Sequence, residues 1–113
     1  MENSFNVNEN RRLYSRVQAP VQFRPARVFS PPRPVFDIGL GGVRVASDQH
    51  LHVGEQQEIE LILPDQFQFI FTARVAWLSR HIENGETFDV GLEFVQIPSG
   101  ALAHLAQVLK KYE

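Results

Sequence analysis

Between Phe67 and Leu78 every second residue is apolar, so that Phe67, Phe69, Phe71, Ala73, Val75 and Trp77 fall on one face of an extended chain. This spacing excludes a helix and predicts the longest and most hydrophobic strand of the molecule. The same period of two recurs along the chain. Val21-Gln22-Phe23 alternates, and Val35 and Ile38 bracket Asp37. Val43 and Val45 flank Arg44, and Ile59, Leu61 and Leu63 alternate with Glu58, Glu60 and Ile62. After the Asn84-Gly85 turn dipeptide, Phe88, Val90, Leu92 and Phe94 share a face while Asp89, Gly91 and Glu93 face out. Six such segments predict a six-stranded antiparallel sheet curled into a small β-barrel, a shape that removes exposed edges. Pro25, Pro31, Pro32 and Pro34 each lack a ladder donor, which makes their stretch an edge or a loop.

The period changes only at the end. From Pro98 onward Leu102, Leu105, Leu109 and Tyr112 recur at three and four, which predicts an amphipathic C-terminal helix over about residues 98–111. Lys110 and Lys111 suit its last turn, and its apolar face plugs one mouth of the barrel or packs on its side. The fold class is therefore all-β with a C-terminal helix. At 113 residues the chain has room for one domain, over residues 11–113. Residues 1–10 are polar, rich in asparagine and aperiodic, and are expected to form a mobile leader.

Composition narrows the function. A net charge of −2 gives no overall field for nucleic acid, and the chain has no cysteine for a disulfide, a thiolate nucleophile or a sulfur-ligated metal. No apolar run approaches membrane-spanning length and the N-terminus has no signal-peptide pattern, so a cytoplasmic protein without membrane insertion is expected. His50, His52, His81 and His104 are dispersed, without a further ligand at metal spacing. Ser15, Ser30, Ser47, Ser79 and Ser99 lie in no nucleophile-elbow pattern, and Glu58 and Glu60 form a solvated strand face. The expectation is a binding module with no catalytic residues and no metal. Phe67, Phe69 and Phe71 resemble a stacking platform for single strands, but an apolar stripe shared with Val75 and Trp77 is better explained as interior packing.

Two features remain for binding. The run from Val35 to Ala46 places one carboxylate, Asp37, ahead of the glycine-rich turn Gly39-Leu40-Gly41-Gly42, whose glycines alone are explained by the turn. Upstream, Arg11, Arg12 and Arg16 lie within six positions; alone they read as a solvated basic segment. In an extended chain Arg12 and Arg16 face one side about 13 Å apart, at roughly 3.3 Å per residue. A guanidinium binds phosphate oxygens as a fork and stacks on bases, so the two features together point to an anionic ligand with purine-like edges. The spacing of Gly39, Gly41 and Gly42, with a strand after it, excludes a dinucleotide fingerprint.

Arg12-x-x-x-Arg16, followed about twenty positions later by Asp37-x-Gly39-x-x-Gly42 and then by Gly91-Leu92-Glu93-Phe94, resembles the PilZ domain family, with its R-x-x-x-R and [D/N]-x-S-x-x-G motifs and late G-x-x-F element. The resemblance covers nearly the whole chain from Arg11. It implies a split barrel and a bacterial receptor for cyclic di-GMP, with Arg11, Arg12, Arg16, Asp37, Gly39 and Gly42 as ligand-binding residues. Arg12 and Arg16 would engage phosphates and the guanine O6/N7 edge, Asp37 a guanine N–H edge, and Gly42 would admit the backbone. Arg11 would extend the stack. No other cofactor is implied and no direct nucleic-acid contact. Ligand would order the N-terminal segment and signal to a partner protein of motility, pili, exopolysaccharide or gene regulation. Gly39 stands where the family has serine, and one neutral hydrogen bond is worth about 0.5–1.5 kcal/mol. The alternative is a degenerate PilZ-like adaptor that binds protein without nucleotide.

Overall fold

The computed structural model describes residues 16–83 and 85–113. Its elements are β1 (Gln22–Pro25), β2 (Arg33–Pro34), β3 (Asp37–Ile38), β4 (Gly42–Ser47), β5 (Gln56–Ile62), β6 (Gln68–His81), β7 (Thr87–Gln96) and α1 (Ser99–Leu109), followed by a 3-10 turn, Lys110–Tyr112. The strands form one antiparallel sheet in the order β2-β1-β5-β6-β7-β4-β3. The six strands expected from alternation become seven, because the proline-rich stretch contributes a two-residue rung in which Arg33 and Pro34 pair with Phe23 and Gln22. An edge is where proline does least harm to a ladder.

The sheet curls into a half-barrel, the split barrel that the resemblance implies, with β2 and β3 at its two edges. Closure falls to the chain itself. Val35 donates its amide to Val21 O beside one edge, and Phe36 donates to Arg44 O beside the other. One peptide step thus carries the backbone from β1 to β4, and the edge strands stay too short, at two residues each, to recruit another chain readily.

The concave face holds the core. Phe23, Ile38, Val43, Val45, Ile59, Leu61, Phe69, Phe71, Ala73, Val75, Phe88, Val90 and Leu92 are all buried there, each at an alternating position. The β6 stripe departs from the expected single face at both ends. Phe67 precedes the strand and is 36% exposed, its ring stacked on His104 at a centroid distance of 4.1 Å. Trp77 is 42% exposed on the opposite face from Val75. The cause is a bulge: Val75 pairs with Leu92 and Trp77 with Gly91, so Ala76 is extra and reverses the phase. Leu78 then packs against the core in place of Trp77.

Helix α1 adds Ala101, Leu105, Val108 and Leu109 to the same core. Leu102 is only partly buried and Tyr112 is exposed, unlike the face read from the sequence. The 3-10 turn after Leu109 changes the angular step, so Tyr112 leaves the stripe. A polar latch ties the helix to the β5–β6 turn, where His104 Nε2 lies 2.5 Å from Asp65 Oδ2 and Asp65 Oδ1 accepts the Phe67 amide at 3.1 Å.

The latch carries a pH prediction. The His104 hydrogen bond, then the Phe67 amide, hold the Asp65 carboxyl below its ordinary value of 3.8. In the β4–β5 loop the His52 amide, then the Gln57 side chain, do the same for Glu55 below 4.5. A depressed folded pKa gives stability that is present above the unfolded value and lost as pH falls through the folded one. The melting temperature should therefore drop on acidification below about pH 4. In Asp65→Asn that drop should be shallower; an identical slope in thermal melts would show that the latch contributes nothing.

Candidate functional site

Ile38 and Val43 are fully buried and pair with each other, anchoring the β3–β4 hairpin from inside. Alternation then turns their neighbours Asp37 and Arg44, also directly paired, to the convex face. The turn between them is closed by the Gly39 amide on Gly42 O at 2.9 Å. Arg44 Nε donates to Asp37 Oδ2 at 2.9 Å. The segment before β1 meets the same corner: Val17 and Ile38 exchange amide hydrogen bonds of 2.9 and 3.0 Å. This isolated bridge sets Arg16 on the rim, where Nη1 donates to Asp37 Oδ1 at 2.9 Å.

Each oxygen of Asp37 therefore has its own guanidinium. The carboxylate is not open to solvent, and only 18% of its side chain is exposed. Arg44 is further fixed, with its guanidinium 5.1 Å from the centre of the Phe36 ring and Nη1 3.9 Å from Asp89 Oδ2. His81 Nε2 lies 3.4 Å from that same oxygen. Arg16 is freer, at 48% exposure.

Beside the corner lies a cleft of about 650 Å³ lined by residues that include Arg16, Gly39, Gly42, Trp77 and Gly91. That is within the range of small-ligand pockets. Strand register links the corner to the cleft, whose lining takes in Gly91 and Trp77 but neither Asp37 nor Arg44. Asp37 pairs with Arg44, Arg44 with Gly91 and Gly91 with Trp77, so these four form one row across β3, β4, β7 and β6. Gly91 leaves room for the indole, because a Cβ there would sit 2.2 Å from Trp77 Nε1. The parallel row is Gly42, Glu93 and Arg74, in which Arg74 Nη2 donates to Glu93 Oε1 at 2.5 Å. Leu40, Phe94 and Ile97 complete an apolar rim. At the corner and cleft, among the described residues, the three guanidiniums of Arg16, Arg44 and Arg74 are matched by three carboxylates, Asp37, Asp89 and Glu93. An incoming dianion must therefore displace a carboxylate or bring in further cations.

Arg16, Gly39 and Gly42 thus meet at one cleft, and Asp37 holds Arg16 at its edge. Arg11 and Arg12 lie outside the described residues. Gly42 has a packing role that its turn position did not reveal: a Cβ would lie 2.3 Å from Leu92 O on the neighbouring strand. Sequence reasoning missed Arg44 and Trp77. Arg44 was legible as an outward residue between Val43 and Val45, whereas Trp77 was hidden by the bulge. Among the described residues there is no group of three or more His, Asp or Glu side chains suited to a metal ion.

The family model for the PilZ domain matches residues 9–111. Solved structures share the fold. The PilZ domain of Escherichia coli YcgR with c-di-GMP superposes with a TM-score of 0.66 at 19% identity, over 90% of this chain and 91% of that one. Bacillus subtilis inhibitor of motility, MotI/DgrA, gives 0.67 at 24% identity over 86% of this chain and 48% of that one. The K. pneumonia MrkH complex with c-di-GMP gives 0.67 at 13% identity over 88% and 51%. The chain thus spans about half the length of MotI and MrkH. No curated protein matches the sequence.

Proposed function

The chain belongs to the PilZ domain family, whose members are non-catalytic receptors for cyclic di-GMP, and we propose that it binds this nucleotide in the Arg16–Trp77 cleft and passes the signal to a partner protein. The observation that carries this reading is one cavity lined both by a half-exposed guanidinium, Arg16, and by a half-exposed indole, Trp77. The first suits a phosphate oxygen or the guanine O6/N7 edge and the second the face of a base. Among the described residues Arg16 uses only Nη1, on Asp37, which leaves its other N–H groups for ligand. Asp37 keeps lone pairs beyond those taken by its two guanidiniums and can accept a guanine N–H.

The charges around the cleft are balanced among the described residues, so a dianion needs extra positive charge there, and in this reading Arg11 and Arg12 supply it. Ligand then draws the N-terminal segment onto the corner, and that ordering is the signal a partner reads. The partner belongs to motility, pili, exopolysaccharide production or gene regulation; the similarity to an inhibitor of motility supports the first. No helix among the described residues is long and apolar enough to cross a membrane. A cytoplasmic location belongs to the same proposal, and a chain without cysteine is compatible with it.

Gly39 favours a second reading, an adaptor that has lost the nucleotide, because the family's serine hydroxyl is missing at the cleft wall. Titration calorimetry separates the two. Saturable binding of cyclic di-GMP by the wild type, tightened about tenfold in Gly39→Ser, is the receptor result. A flat wild-type titration supports the adaptor.

A further inference from the structure

We infer that Arg44, which lies outside both family motifs and does not line the cleft, is a positioning residue that keeps Arg16 available for ligand by holding Asp37 from behind. The inference rests on the receptor reading. Asp37 is one charge shared by two cations, each at 2.9 Å and on separate oxygens. Arg44 is held on its other sides by the Phe36 ring at 5.1 Å and by Asp89 at 3.9 Å, so its grip on Oδ2 does not depend on the ligand. Arg16 has no such support among the described residues and faces the cleft. When a phosphate oxygen draws Arg16 away, Asp37 still has a cation, and its partly buried carboxylate is not left unpaired. Without Arg44, Asp37 has Arg16 as its sole guanidinium among the described residues, and ligand must break that pair outright.

The test is a double-mutant cycle read by calorimetry with cyclic di-GMP, on wild type, Arg44→Met, Asp37→Asn and the double variant. Asparagine is an accepted residue at this motif position, so the Asp37→Asn background retains measurable binding. Arg44→Met should weaken binding about tenfold in wild type and have little effect beside Asp37→Asn, because the carboxylate it acts on is gone. Arg44→Lys, which keeps the charge within reach of Oδ2, should restore part of the loss. Equal losses in both backgrounds would mean that Arg44 acts on the ligand directly by charge and would overturn the inference, as would no loss in either. Should Arg44→Met fail to fold by circular dichroism, Phe36→Leu, which removes the ring and leaves the guanidinium, takes its place with a smaller expected loss. A flat wild-type titration overturns the receptor reading itself; binding with an additive cycle overturns only the role of Arg44.

Discussion

Arg16→Ala should abolish measurable cyclic di-GMP binding while leaving the fold intact. The two halves of this expectation come from the same geometry. Arg16 is half-exposed, and its pair with Asp37 is a surface ion pair of the kind worth about 0–1 kcal/mol to stability. The carboxylate also keeps Arg44 when Arg16 is removed, so no unpaired charge is left at the corner. Toward a phosphate the balance is different. A hydrogen bond to a charged group contributes about 1.5–3 kcal/mol, and a forked pair loses two of them, which is roughly a hundredfold or more in affinity. Calorimetry measures the loss directly. Trp77, the chain's one tryptophan, gives an independent readout, since its indole lines the cleft and its fluorescence should change with ligand in wild type only. Wild-type affinity in Arg16→Ala would remove this side chain from the site.

The second large effect concerns stability. Gly42→Ala should lower the melting temperature substantially, because the new Cβ would lie 2.3 Å from Leu92 O, a backbone atom in the adjacent paired strand. A flexible side chain could swing aside; a strand held by a continuous ladder cannot. Relief requires β4 to move off β7 where Gly42 faces Glu93 and where the Phe94 amide bonds Gly41 O. Overpacking of this kind costs about 1–3 kcal/mol, and each kcal/mol is about 4–8 °C in a domain of up to about 100 residues. Gly100→Ala is the control. That position lies in α1 with open space around it, and alanine is the better helix former, so the same substitution should be neutral or slightly stabilising. Equal melting temperatures for the two variants would contradict the close approach of β4 and β7.

The strands were legible because burial on a half-barrel is local and periodic. Ile59 and Leu61, or Phe88, Val90 and Leu92, announce their face within five residues. The corner was legible for the same reason, since a turn rich in glycine between two alternating runs has few other uses. Leu105 and Leu109 announced the helix, while the place where it tightens into a 3-10 turn, and so loses Tyr112, was not written in their spacing. Arg16 and Asp37 were named in advance, but the sharing of Asp37 with Arg44 was not, although the two face each other across a hairpin.

From the chain alone came the fold class, the single glycine-rich corner and the side chains available there, because each depends on residues a few positions apart. Only the assembled sheet decided that one extra residue at Ala76 turns Trp77 outward over Gly91, that Gly42 is demanded by a carbonyl fifty positions away, and that two arginines divide one carboxylate. Those are matters of register between distant strands, and a periodic pattern, which repeats identically under a shift of two residues, holds no record of register.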